Sequence, residues 1–138
     1  MLTSLAVDVR SAMAKEVHST STEGYSTTSQ IRDFETTIDA TGEDAPDTLE
    51  ALLAAYSSCY VPALRVAAEQ RDVGDLGEIS IDVTGELNDD DKLESVAFDI
   101  ETDAEMDDDK AEQVIDRANA LCKVHDALKD SLKAEMSL

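Results

Sequence analysis

Residues 1–45 carry only weak hydrophobic alternation, in Leu5-Ala-Val-Asp-Val9 and around Ile31-Arg-Asp-Phe34, amid Ser, Thr, Val and charged side chains. The Ser/Thr run from Ser19 to Ser29 favours strands with exposed faces, or loops, over helix. From Pro46 to about Arg71 the period becomes helical. Leu49, Leu52, Leu53, Tyr56, Cys59, Tyr60, Ala63, Leu64 and Ala67 fall on one stripe, with Pro46 in the first turn and Asp47 complementing the dipole. The other faces of this segment are also small or apolar between Ala51 and Ala68, so the helix must be buried on several sides. One layer of strands would struggle to cover it, which argues for a homodimer. Pro62 lacks an N–H and crowds the carbonyl of Ser58, predicting a kink just after Cys59.

Beyond the helix, Glu78 to Thr84 and Leu93 to Ile100 alternate cleanly, with Asn88-Asp-Asp-Asp91 between them as turn chemistry. The pattern predicts a hairpin over 77–102. Ala111, Val114, Ile115, Ala118, Leu121, Cys122, His125, Leu128 and Leu132 form a second helical stripe, opened by Asp107-Asp-Asp109 and breaking near Cys122. The expected architecture is α+β in one domain, 1–138: N-terminal strands over 1–45, a central helix over 46–71, the hairpin, and C-terminal helices over 107–137.

Charge changes the list of partners. Asp and Glu total 32 against 11 Lys and Arg, a formal net charge of −21, which excludes an electrostatic grip on nucleic acid or on an anionic membrane surface. No run of 18 or more purely apolar residues exists, and Met1-Leu-Thr-Ser4 lacks the charged start of a signal peptide, so a cytoplasmic protein is expected. The acids are spread along the whole chain rather than gathered in a tail. That distribution suits a salt-rich cytoplasm, where the Debye length falls to about 3 Å at 1 M salt, better than it suits an acidic adaptor surface.

Candidate chemistry is sparse. Cys59 and Cys122 each lie on the apolar stripe of a different helix, and in a cytoplasmic protein such a pair is inert packing or redox chemistry. Glu50 precedes Cys59 on nearly the same helical line, about 13 Å away at ~1.5 Å per residue, where it either orders a group near the thiol or simply favours the dipole. Cys122-x-x-His125 is half a zinc pattern, but Cys59 and His18 would have to complete it from distant segments, so no metal is expected. Asp103-x-Glu105-x-Asp107 opens like a calcium loop, yet Asp108 occupies the glycine position and Val114 the twelfth. Nucleotide-binding and hydrolase motifs do not occur.

Pro46-Asp-Thr-Leu-Glu50-Ala-Leu-Leu-Ala-Ala-Tyr-Ser-Ser-Cys59 resembles the helix of the OsmC family, the osmotically inducible and organic hydroperoxide resistance proteins. Ala63 to Arg71 and the strand Ile79 to Val83 continue the likeness, and Ala118-Asn-Ala-Leu-Cys122-Lys-Val-His125 resembles the second motif, usually Cys-Pro-Val. The likeness covers about 46–138 well and 1–45 only by strand content. It implies an intertwined homodimer with strands wrapped around long central helices. It also implies a thiol peroxidase for organic hydroperoxides that uses a dithiol reductant and no bound cofactor. Cys59 would attack the peroxide, Cys122 would resolve the sulfenic acid, and Glu50 would hold an arginine that stabilises the thiolate. Arg10 and Arg32 are the N-terminal candidates, and Arg32 is chosen. An apolar pocket of Leu53, Tyr56 and Tyr60 would suit a bulky substrate. Pro is replaced by Lys123 after Cys122, and Pro62 is unusual within the helix. The alternative reading is a non-catalytic stress or small apolar ligand-binding protein of the same fold.

Overall fold

The computed structural model describes residues 14–138, so the alternation at Leu5–Val9 and the candidate Arg10 lie outside the described residues. The rest divides into two compact parts, with the boundary between Ala51 and Leu52.

In the first part, β1 (His18–Thr20), β2 (Ser26–Ile31) and β3 (Phe34–Asp39) make an antiparallel sheet in sequence order. The β-branched threonines of these strands favour extended backbone over helix, although β2 is polar on both faces. Arg32 and Asp33 form the tight connection of β2 to β3, and Arg32 adopts a left-handed φ of 54° there. Its guanidinium lies over the Phe34 ring, 5.1 Å from the centroid. Asp39 closes the following loop: its carboxylate accepts from the Thr41 amide (3.0 Å), the Thr41 hydroxyl (2.8 Å) and the Asp44 amide (3.1 Å).

Helix α1 (Thr48–Gln70) starts at a reciprocal cap. Asp47 Oδ1 accepts from the Glu50 amide at 2.8 Å, while Glu50 Oε1 accepts from the Asp47 amide at 2.9 Å. The helix runs uninterrupted through Pro62. It is long and apolar enough to cross a membrane, with a mean hydropathy of 1.3, yet its buried face builds a core.

In the second part, β4 (Ile79–Leu87) and β5 (Leu93–Thr102) form the expected hairpin. The Asn88 side-chain oxygen ties its turn, accepting from the amides of Asp90 (2.9 Å) and Lys92 (3.1 Å). Val96, Phe98 and Ile100 point to one face of β5 and are buried with Tyr56, Tyr60, Leu64 and Ala67 of α1. Helix α2 (Asp108–Leu121) is capped by Asp107, whose carboxylate accepts from the Lys110 amide at 2.8 Å, and it inserts Val114 and Ala118 into the same core. Helix α3 (Lys123–Ala127) and a single 3-10 turn (Asp130–Leu132) follow.

The chain then differs from expectation. Residues 135–137 are not helical but form β6 (Glu135–Ser137), which pairs parallel to β5 with Met136 opposite Phe98. Three residues are too few to show a period, and the free edge of β5 decides their conformation.

Candidate functional site

α1 brings Cys59 to a half-buried position on its core-facing side, one turn beyond Tyr56. The second cysteine sits where two helices meet. Cys122 ends α2, its amide donating to the Ala118 carbonyl at 2.9 Å, and it begins α3, its sulfur accepting from the His125 amide at 3.5 Å. The break expected near Cys122 is therefore a junction in which the sulfur itself satisfies a helix N-terminal amide.

Both cysteines are free, and they lie near enough for each thiol to act on the titration of the other. Burial works to raise the Cys59 pKa, but the Val124 amide, the Cys122 thiol, the Lys123 amide and the Lys123 ammonium outweigh it and hold the group below the ordinary thiol range. Cys122 moves the other way. Its burial dominates, the His125 and Val124 amides oppose it, and the hydrogen bond and charge of Cys59 add to the rise. The site thus separates one thiolate-favouring sulfur from one proton-keeping sulfur.

Beside this pair, Tyr56 is fully buried, with its oxygen 2.6 Å from His125 Nδ1 and accepting from the Ala134 amide at 2.8 Å. Burial raises its pKa. His125 is lowered by burial first and then by Lys133, with Asp126 opposing. Tyr60 donates to Asn119 Oδ1 at 2.8 Å and stacks edge-on against Phe98. The two tyrosines are wholly buried core residues, so the expected apolar pocket of Leu53, Tyr56 and Tyr60 is corrected: their rings face Phe98 rather than an opening. No group of three or more potential metal ligands occurs among the described residues.

Cys59 and Cys122 are brought together as a pair. Glu50 spends one carboxylate oxygen on the cap of α1, and Arg32 lies in the β2–β3 turn over Phe34. Sequence reasoning missed the Tyr56–His125 bond and the two α3 amides. Their one signal was symmetric spacing, with Tyr56 three residues before Cys59 and His125 three after Cys122.

Residues 40–137 match the family model described as OsmC-like protein. An uncharacterised protein of Haloferax volcanii is 40% identical over 118 residues, spanning 86% of this chain and 89% of that one. Among solved structures, an OsmC-like protein from Mycoplasma pneumoniae superposes with a TM-score of 0.76 at 18% identity, covering 90% of this chain and 93% of its own. The organic hydroperoxide resistance protein OhrB of Bacillus subtilis gives 0.67 at 18% identity, covering 91% and 97%. These structural likenesses establish the α+β fold, and the family match with the Haloferax relative establishes descent: the chain belongs to the OsmC-like protein family.

Proposed function

We propose that this protein is a cysteine-based peroxidase that reduces organic hydroperoxides. The observation that carries the reading is the placement of two free cysteines beside one shared core, Cys59 on α1 and Cys122 at the α2–α3 junction, with the Cys59 thiol pushed down and the Cys122 thiol pushed up. Cys59 thiolate attacks the distal peroxide oxygen; the O–O bond breaks, the alkoxide leaves as alcohol after protonation, and Cys59 becomes a sulfenic acid. Cys122, deprotonated to solvent, attacks the Cys59 sulfur and expels water, leaving a disulfide. A dithiol reductant returns both thiols by exchange. The similarity to OhrB, named for organic hydroperoxide resistance, supports the substrate class.

In this reading Glu50 and Arg32 support the Cys59 thiolate, and replacing Arg32 with Met slows the first step. A second copy of the chain covers what one copy leaves open. Only 33% of the apolar window of α1 is buried, and Val17, Tyr25 and Phe34 stand 58%, 73% and 60% exposed. The acidic coat supports a salt-rich setting for this chemistry, in keeping with a relative from Haloferax volcanii.

The deciding experiment follows cumene hydroperoxide consumption with dithiothreitol in high salt. Cys59→Ser abolishes turnover, while Cys122→Ser retains one stoichiometric reaction that a sulfenic-acid reagent traps. Unchanged consumption by Cys59→Ser refutes the assignment.

A further inference from the structure

Tyr56 and His125 are buried polar side chains that the chemistry above does not use. The Ala134 amide donates to the Tyr56 oxygen at 2.8 Å, so the phenol's own proton is free to go to His125 Nδ1 at 2.6 Å. The network thereby assigns the neutral imidazole with its proton on Nε2. The ring centroids lie 5.9 Å apart, and Tyr56 is packed on Phe98 at 4.6 Å, so the phenol has little freedom to swing. The residue that accepts this bond through its ring also donates its backbone N–H to Cys122 Sγ. Two links therefore join α1 to the start of α3: the sulfur pair Cys59–Cys122 and, one turn earlier on α1, the pair Tyr56–His125.

We propose that Tyr56 and His125 are positioning residues that hold Cys122 in line to attack the Cys59 sulfur when the disulfide closes. The inference builds on the assignment of Cys122 as the resolving thiol. Once Cys59 is derivatised it no longer draws on the Cys122 proton, and the His125 amide remains to stabilise the Cys122 thiolate that must form. Without the brace, α3 is free to turn and carry that amide and sulfur out of line, and bond formation at ~2.05 Å tolerates little misalignment. Protonating His125 places a second donor against the phenol's proton and loosens the link. The charged and titratable groups around the ring are Tyr56 from α1, Cys122 and Asp126 beside it in sequence, and Lys133 beyond the 3-10 turn; Lys133 disfavours the imidazolium and Asp126 favours it.

Glutathione disulfide tests this without any peroxide. Cys59 thiolate attacks it, releasing one glutathione and forming a mixed disulfide; Cys122 thiolate then attacks the Cys59 sulfur and releases the second. Near pH 8, Tyr56→Phe and His125→Ala form the mixed disulfide within about twofold of the wild-type rate but release the second glutathione at least ~10-fold more slowly. His125→Asn keeps an acceptor near the Nδ1 position, closes within about threefold of wild type, and loses the additional slowing below about pH 6.5 that wild type shows beyond thiolate titration. Equal slowing of both steps, or wild-type closure in folded variants, overturns the proposal. Should Tyr56→Phe fail to fold, an unchanged acid limb in His125→Asn overturns it alone. A wild-type protein that closes on glutathione yet leaves hydroperoxide untouched refutes the peroxidase and leaves the pair standing.

Discussion

At the scale of residues, the chemistry of Cys59 is set by its neighbours on α3. The replacement of the family's usual proline by Lys123 gives the site two things proline lacks, a backbone N–H and an ammonium, and both push the Cys59 thiol down. In a chain with a net charge of −21, a cation beside the sulfur offsets a field that would otherwise favour the protonated thiol. Lys123→Met is expected to move the inflection of the Cys59 alkylation rate to higher pH and to slow labelling at pH 7 about two- to fivefold at low salt. Lys123→Pro removes the amide as well and slows it further. Iodoacetamide labelling across pH checks both, and identical profiles for all three proteins would remove Lys123 from the site.

At the scale of elements, the site depends on how firmly α1 is seated. Leu64, with no exposed surface, fills the core beneath β5, whereas Leu87 at the end of β4 is half exposed. Leu64→Ala is expected to destabilise the fold by about 2–5 kcal/mol, and Leu87→Ala by less than about 1. Urea titration measures both; equal effects would contradict this placement of the core. α1 and the β4–β5 hairpin were legible from periodicity because each has a face committed to the core over two or more repeats. α2 was legible for the same reason, and its end near Cys122 was legible because the stripe there leads into a separately amphipathic tail. β6 was not legible, since its conformation comes from the edge of β5 and not from its own residues.

At the scale of the whole molecule, charge and uncovered apolar surface pull in opposite directions. Carboxylates repel one another in dilute buffer, while apolar residues of α1 and the side chains of Val17, Tyr25 and Phe34 stay exposed, the surface that the proposed second copy would cover. The thermal midpoint and the dimer fraction are both expected to rise between about 0.1 and 2 M KCl, as screening lengths shrink towards ~3 Å. Light scattering and calorimetry across that range would count against halophilic adaptation if neither quantity changed.

The sequence by itself determined the period of each long element, the acidic surface and the two cysteine motifs, because those are properties of local spacing and composition. Tertiary structure alone decided that Cys59 and Cys122 come near one another, that Tyr56 and Tyr60 are core rather than pocket, and that Tyr56 grips His125. Each of these joins residues more than sixty positions apart or depends on what packs above a ring. Spacing along a chain carries no information about which faces of separate elements meet; burial against a shared core supplies it.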